Sequence, residues 1–134
     1  MKTFCLLSKV SLVILITYLL GSCKNDASYR LFLIKVDSIQ VSNAPVANSP
    51  FDISFYGTIG GDGCYSFSSF NVQQDNSNII IEAWGRVDKA TICPTVIIYL
   101  TGHKVIHIVQ TPGTYLIKIR QPDNSYLEKQ IAVK

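Results

Sequence analysis

From Phe51 to Ile59 apolar or small residues take every second place: Phe51, Ile53, Phe55, Gly57 and Ile59 alternate with Asp52, Ser54, Tyr56 and Thr58. Side chains on a β-strand point alternately to opposite faces, so a period of two describes a strand with one face in a core and the other in water. The chain behind position 30 repeats the pattern in shorter pieces. Leu31 to Val41 is aliphatic and then alternating, with Ile39 and Val41 on one face. Asn43-Ala44-Pro45, Asn48-Ser49-Pro50 and Gly60-Gly61-Asp62-Gly63 are turn signals. Cys64–Phe67, Ile79–Trp84, Thr95–Leu100 and Val105–Val109 read as further strands, with a polar loop at Gln73–Asn78 and a connection at Val87–Pro94. Thr101-Gly102-His103 reads as a turn that makes the third and fourth of these a hairpin. Thr114–Ile119 and Tyr126–Val133 form a closing hairpin around Pro122-Asp123-Asn124. No stretch sustains a 3.6-residue period with helix caps. About seven short strands in roughly 100 residues predict an all-β chain, a single antiparallel β-sandwich.

The first residues obey different rules. Lys2 and Lys9 precede the apolar run Val10–Leu20. As a helix that run would span about 16 Å, against a hydrocarbon core of about 30 Å. A spanning segment would have to begin near Phe4 and bury Lys9. A basic start followed by a short apolar stretch instead predicts a secretory signal peptide. An ordinary cleavage site would have small residues at −3 and −1, and cleavage before Cys23 puts Leu20 at −3. Leu20-Gly21-Ser22-Cys23 resembles the lipobox of bacterial lipoproteins. That resemblance implies cleavage before Cys23, acyl chains on Cys23 and hence a membrane as partner. It divides the chain into a leader (1–22), a lipidated tether (23–30) and a folded domain (31–134).

Charge and cysteine usage change meaning once the leader is set aside. The whole chain carries 12 Lys+Arg against 9 Asp+Glu, a net +3. Lys2 and Lys9 leave with the leader, and the near-neutral remainder has no electrostatic motive for binding nucleic acid. Cys5 leaves too and Cys23 takes the lipid, so Cys64 and Cys93 remain. An even remainder in an exported chain predicts a disulfide. A zinc site would need more thiolates or histidines at close spacing.

Pro112-Gly113-Thr114-Tyr115, leading into an alternating strand, looks like the penultimate strand of immunoglobulin-like bacterial domains. The resemblance implies an immunoglobulin-like sandwich in which Tyr115 hydrogen-bonds back to the chain. The antibody cysteine would stand two residues after that tyrosine, where this chain has Ile117. Cys64–Cys93 is therefore expected to join two loops near one end of the sandwich. The segments Phe55–Gly60, Gly63–Phe67, Trp84-Gly85 and Gly113–Tyr115 are similar to small lipoproteins of Gram-negative bacteria. That likeness implies a place in the outer envelope, with the membrane face open, and brings no activity.

Motifs for catalysis are lacking. His103 and His107 have the spacing that binds zinc on a helix, but Val105, Ile106, Ile108 and Val109 make the segment a strand, where four residues separate side chains by about 13 Å. Surface histidines on a hairpin are expected. Gly60–Gly63 lacks the Lys-Ser/Thr of a phosphate loop, and the carboxylates are scattered. No enzyme, cofactor or metal is expected. The aromatic residues Tyr65, Phe67, Phe70 and Trp84 are expected to pack in the core around the disulfide. The alternative is an exposed platform of Trp84, Tyr65 and Arg86 for a glycan or a protein loop. The function expected is a lipid-anchored, non-catalytic binding or structural module. A glycan-binding accessory lipoprotein and a protease inhibitor presenting the loops Gly60–Gly63 and Val87–Pro94 stand as alternatives.

Overall fold

The computed structural model describes residues 28–42, 44–89 and 92–134. The expected leader and the expected lipidation site at Cys23 lie outside them. Among the described residues every regular element is a strand: β1 (Tyr29–Leu33), β2 (Val36–Val41), β3 (Phe51–Gly60), β4 (Tyr65–Asp75), β5 (Asn78–Asp88), β6 (Ile98–Tyr99), β7 (Lys104–His107), β8 (Gly113–Arg120) and β9 (Tyr126–Val133). They form two packed sheets, a sandwich.

The larger sheet is built on β5. The long β4–β5 hairpin covers one edge, closed by a two-residue turn in which Asn76 adopts φ 53°. An asparagine tolerates that left-handed backbone better than most residues. Two strands share the other edge end to end: β1 faces Trp84–Asp88 and β8 faces Asn78–Ile81, with β9 outside β8. The smaller sheet is built on β3, with β2 on one edge and β6 and β7 in succession on the other.

Three expectations need correction. Leu31–Val41 is not one strand. Ile34, 1% exposed, still donates its N–H to Ala83 O at 2.8 Å, and the chain then crosses to the other sheet. It must leave, because β8 occupies the next stretch of the β5 edge. Thr101–His103 is not a hairpin turn: β6 and β7 run in the same direction along β3, antiparallel to it. Leu100 N–H donates to Gly57 O and Phe55 N–H to His103 O, so the three residues bulge within one interrupted strand. Counted by path, the nine strands thus follow seven courses. Finally, the sandwich is not purely antiparallel, since β5 and β8 pair in parallel. The chain returns from β5 through β6 and β7 in the opposite sheet, so β8 starts again from the end where β5 started. Strand pairing also begins at Tyr29, two residues ahead of the expected domain boundary.

The period of two places the core as the sequence requires. Ile53 and Phe55 of β3, Ile79, Ile81 and Ala83 of β5, and Ile117 and Ile119 of β8 are all 0% exposed and meet between the sheets. Where the chain crosses from β1 to β2, the buried side chain of Gln121 takes the place of a strand. Val36 N–H donates to its Oε1 at 3.1 Å and its Nε2 donates to Val36 O at 3.3 Å. Tyr115 stands at the other crossing, between β7 and β8, and its hydroxyl donates to Thr111 O at 2.9 Å.

The two ends of the sandwich differ. At one, the Cys64–Cys93 disulfide joins the loop before β4 to the loop before β6, with Cα atoms 5.3 Å apart across 29 positions. This is the expected pair in the expected place. Lys89 N–H donates to Ser28 O at 2.9 Å, so the chain enters the domain at this same end. The opposite end carries the β4–β5 turn and the β7–β8 connection.

Candidate functional site

Alternation along β5 decides where the expected site residues go. Ile79, Ile81, Ala83 and Gly85 face the core, so Glu82, Trp84 and Arg86 face outward. Trp84 therefore stands half-buried on the outer face of the larger sheet, and the expectation that it packs in the core is corrected. Tyr65 goes the other way. Its ring packs edge-on against Phe32 with centroids 5.6 Å apart, over Gly60, where any Cβ would strike the Tyr65 ring. The trio Trp84, Tyr65 and Arg86 is thus split, with two members outside and one inside. Phe67 and Phe70 stay with the core, as expected, stacked near Phe55.

Glu82 organises the outer face. Its Oε1 accepts from Arg120 Nη1 at 2.9 Å, and its Oε2 accepts from Asn71 Nδ2 and from Trp84 Nε1, both at 3.2 Å. Only 16% of the Glu82 side chain is exposed. The Arg120 hydrogen bond, followed by that of Asn71, holds its carboxyl below the ordinary value, outweighing the opposing effect of burial. The Arg120 guanidinium also donates to Asn124 Oδ1 at 3.2 Å. Together these bonds lock the tryptophan indole and the arginine in one geometry, which lowers the ordering cost of any contact made there.

Further apolar and aromatic groups share this face. Leu33 and Ser69 flank Trp84 on the neighbouring strands. Tyr29, opposite Asp88, lies four residues along from Trp84, about 13 Å by strand rise. Tyr126 pairs with Arg120 two strands away from β5, about 10 Å across the sheet. Arg86 donates to Ser66 Oγ at 3.0 Å and sits 5.9 Å from the Tyr29 ring centroid. The result is a sheet face with three spaced aromatic rings interleaved with hydrogen-bonded polar groups. Asn71 and Arg120 were invisible to sequence reasoning, because cross-strand register alone brings them to Glu82. The outward direction of Trp84 was legible from its parity with Ile79, Ile81 and Ala83.

The other candidates resolve differently. His103 and His107 are half-buried rather than on the surface. His103 stacks on Phe67 with centroids 4.1 Å apart; His107 meets Phe51 and bonds Gln74 Oε1 at 2.9 Å, and burial lowers its pKa. Among the described residues one group has metal-ligand spacing, Asp62 with Cys64 and Cys93, and the disulfide occupies both sulfurs. Asp62 instead accepts the Cys64 N–H at 3.0 Å and so shapes the turn. A groove of about 620 Å³ opens at the end opposite the disulfide, lined by uncharged groups including Gln74, Gln110 and Thr114, and contains none of the expected site residues.

Neither a protein-family model, nor a curated protein, nor a solved structure matches the chain.

Proposed function

We propose that this chain is a lipid-anchored, immunoglobulin-like binding module of a Gram-negative envelope, and that it engages a glycan through the outer face centred on Trp84. The observation that carries the reading is the outward placement of Trp84, held by Glu82 on a sheet face shared with Tyr29 and Tyr126. Sugar rings present apolar C–H faces that stack on aromatic side chains, and hydroxyls that pair with amides, carboxylates and guanidinium groups. The Tyr115–Thr111 bond and the crossings between sheets support the immunoglobulin-like description, while the parallel β5–β8 pair departs from that family's antiparallel pattern. The lipid anchor rests on Leu20-Gly21-Ser22-Cys23. The described residues of the loops that a protease-inhibitor reading would present, Gly60–Gly63 and Val87–Pro94, lie at the end where the tether enters, the less accessible end of an anchored domain.

Trp84 is the only tryptophan in the chain, so its fluorescence reports directly on the face. Titration with peptidoglycan fragments and with neutral oligosaccharides is expected to shift its emission. Trp84→Ala is expected to abolish binding, measured by calorimetry, while the domain keeps its β-sheet circular dichroism. The glycan reading fails if Trp84→Ala unfolds the domain, or if a glycan binds equally well without Trp84. Separately, Cys23→Ala is expected to release the exported protein from the membrane fraction; retention there would identify the leader as an uncleaved anchor.

A further inference from the structure

The end at which the chain enters the domain is also where it exposes much of its bare apolar surface. Ile92 is 87% exposed, Val96 47%, Ile97 53% and Tyr99 58%. Single exposed apolar residues are ordinary on a protein surface, but four within eight consecutive positions are not. No charged side chain occurs between Lys89 and Lys104. The fold does not need these groups: Ile98 turns inward between them and packs on the core, while its neighbours stay outside. The loop is also held. The disulfide fixes Cys93 to the base of β4, and Gly63 N–H donates to Pro94 O at 2.8 Å. The isoleucines are therefore presented by a braced loop, and little order remains to be lost when they are covered.

The geometry points to the membrane surface as what covers them. Lys89 N–H bonds Ser28 O, so the loop and the domain entry are neighbours. Four residues lie between Cys23 and Ser28, and those five chain steps reach at most about 17 Å when fully extended. A bilayer holding the N-terminal segment is thus within one short tether of Ile92 and Ile97. We infer that the loop Ile92–Ile97 seats in the lipid headgroup boundary, with the phenol of Tyr99 at headgroup level, as tyrosines sit at membrane interfaces. The seat orients the domain: β5 rises from the membrane, the Trp84 face looks sideways and the groove at the far end looks away. The inference rests on N-terminal membrane attachment, and an uncleaved leader would hold the same end as an acylated Cys23.

The test uses the full chain reconstituted from host membranes into phosphatidylcholine–phosphatidylglycerol vesicles, with or without brominated acyl chains. In a Trp84→Phe background, Ile97→Trp places the only tryptophan in the loop. Ile106→Trp places it at an equally bare site, 64% exposed and paired with Asp52 toward the opposite end. Brominated lipid is expected to quench Ile97→Trp roughly twofold, the depth of an interfacial residue, and to leave Ile106→Trp unchanged. Equal quenching of both sites, or of neither, overturns the seat. A blue shift of Ile97→Trp that grows with protein density and ignores bromine would assign the loop to a second copy and overturn it as well. Fractionation of Cys23→Ala with Ile92→Asp and Ile97→Asp added, so that the loop cannot seat, reports on the anchor alone, and the two failures are distinguishable.

Discussion

Gln121 offers a sharp test of what holds the two sheets together. At the crossing from β1 to β2, the N–H and C=O of Val36 both point to the free edge of β2, where no strand pairs with them. Gln121, 7% exposed, satisfies both at 3.1 and 3.3 Å. Gln121→Met keeps the length of the side chain and removes both bonds. Each buried backbone group left without a partner costs about 1–3 kcal/mol. A cavity of about 440 Å³, lined by Lys35, Val36, Asp37 and Gln121 itself, adjoins the site, so water can take over part of the loss. The expected destabilisation is therefore near the lower end, about 2 kcal/mol, or about 9 °C in Tm for a domain of this size. Thermal unfolding followed by circular dichroism measures the total. Hydrogen exchange locates it, because the Val36 amide should lose protection while Ile53 and Ile81, in paired strands, keep theirs. Gln121→Glu separates the two bonds: the carboxylate can still accept from Val36 N–H but cannot donate to its carbonyl. A Met variant that melts with the wild type, with Val36 still protected, would refute the clasp.

Two further outcomes follow from the same physics. Replacing Cys64 and Cys93 with alanine opens a loop that spans 29 positions, and the chain-entropy model puts the loss at about 3.5 kcal/mol by denaturant unfolding; a loss under about 1 kcal/mol would mean the local hydrogen bonds alone hold that end. Glu82 has its folded-state pKa lowered by Arg120 and Asn71, so its contribution to stability is present above the ordinary value of 4.5 and is lost as pH falls through the lower folded value. Glu82→Gln should therefore flatten the acid limb of a stability–pH curve while costing some stability near pH 7, and an unchanged acid limb would show that the cluster on the outer face is not electrostatically coupled.

Local patterns determined much of this protein. The alternation of Phe51–Ile59 made a strand half in the core, the turn residues divided the chain into about seven courses, and the two cysteines left after Cys5 and Cys23 are set aside pointed to the Cys64–Cys93 bridge. These depend on residues near one another, or on a count, and so survive without knowledge of the fold. The register and order of strands do not. Whether Thr101–His103 turns the chain back or merely bulges depends on β3 offering hydrogen-bonding partners on both sides of it. The break at Ile34 depends on β8, more than eighty residues away, filling the next stretch of the β5 edge. The parallel β5–β8 pair follows from a return through the opposite sheet, which no local signal announces. The site shows the same division. The parity of Ile79, Ile81 and Ala83 already turned Trp84 outward and Arg86 with it. Tyr65 faces inward, because the register across the β4–β5 hairpin shifts between Phe67 and Ser69. Only the tertiary structure brings Arg120, thirty-eight positions on, to within 2.9 Å of Glu82, since a contact between distant strands is set by sheet order.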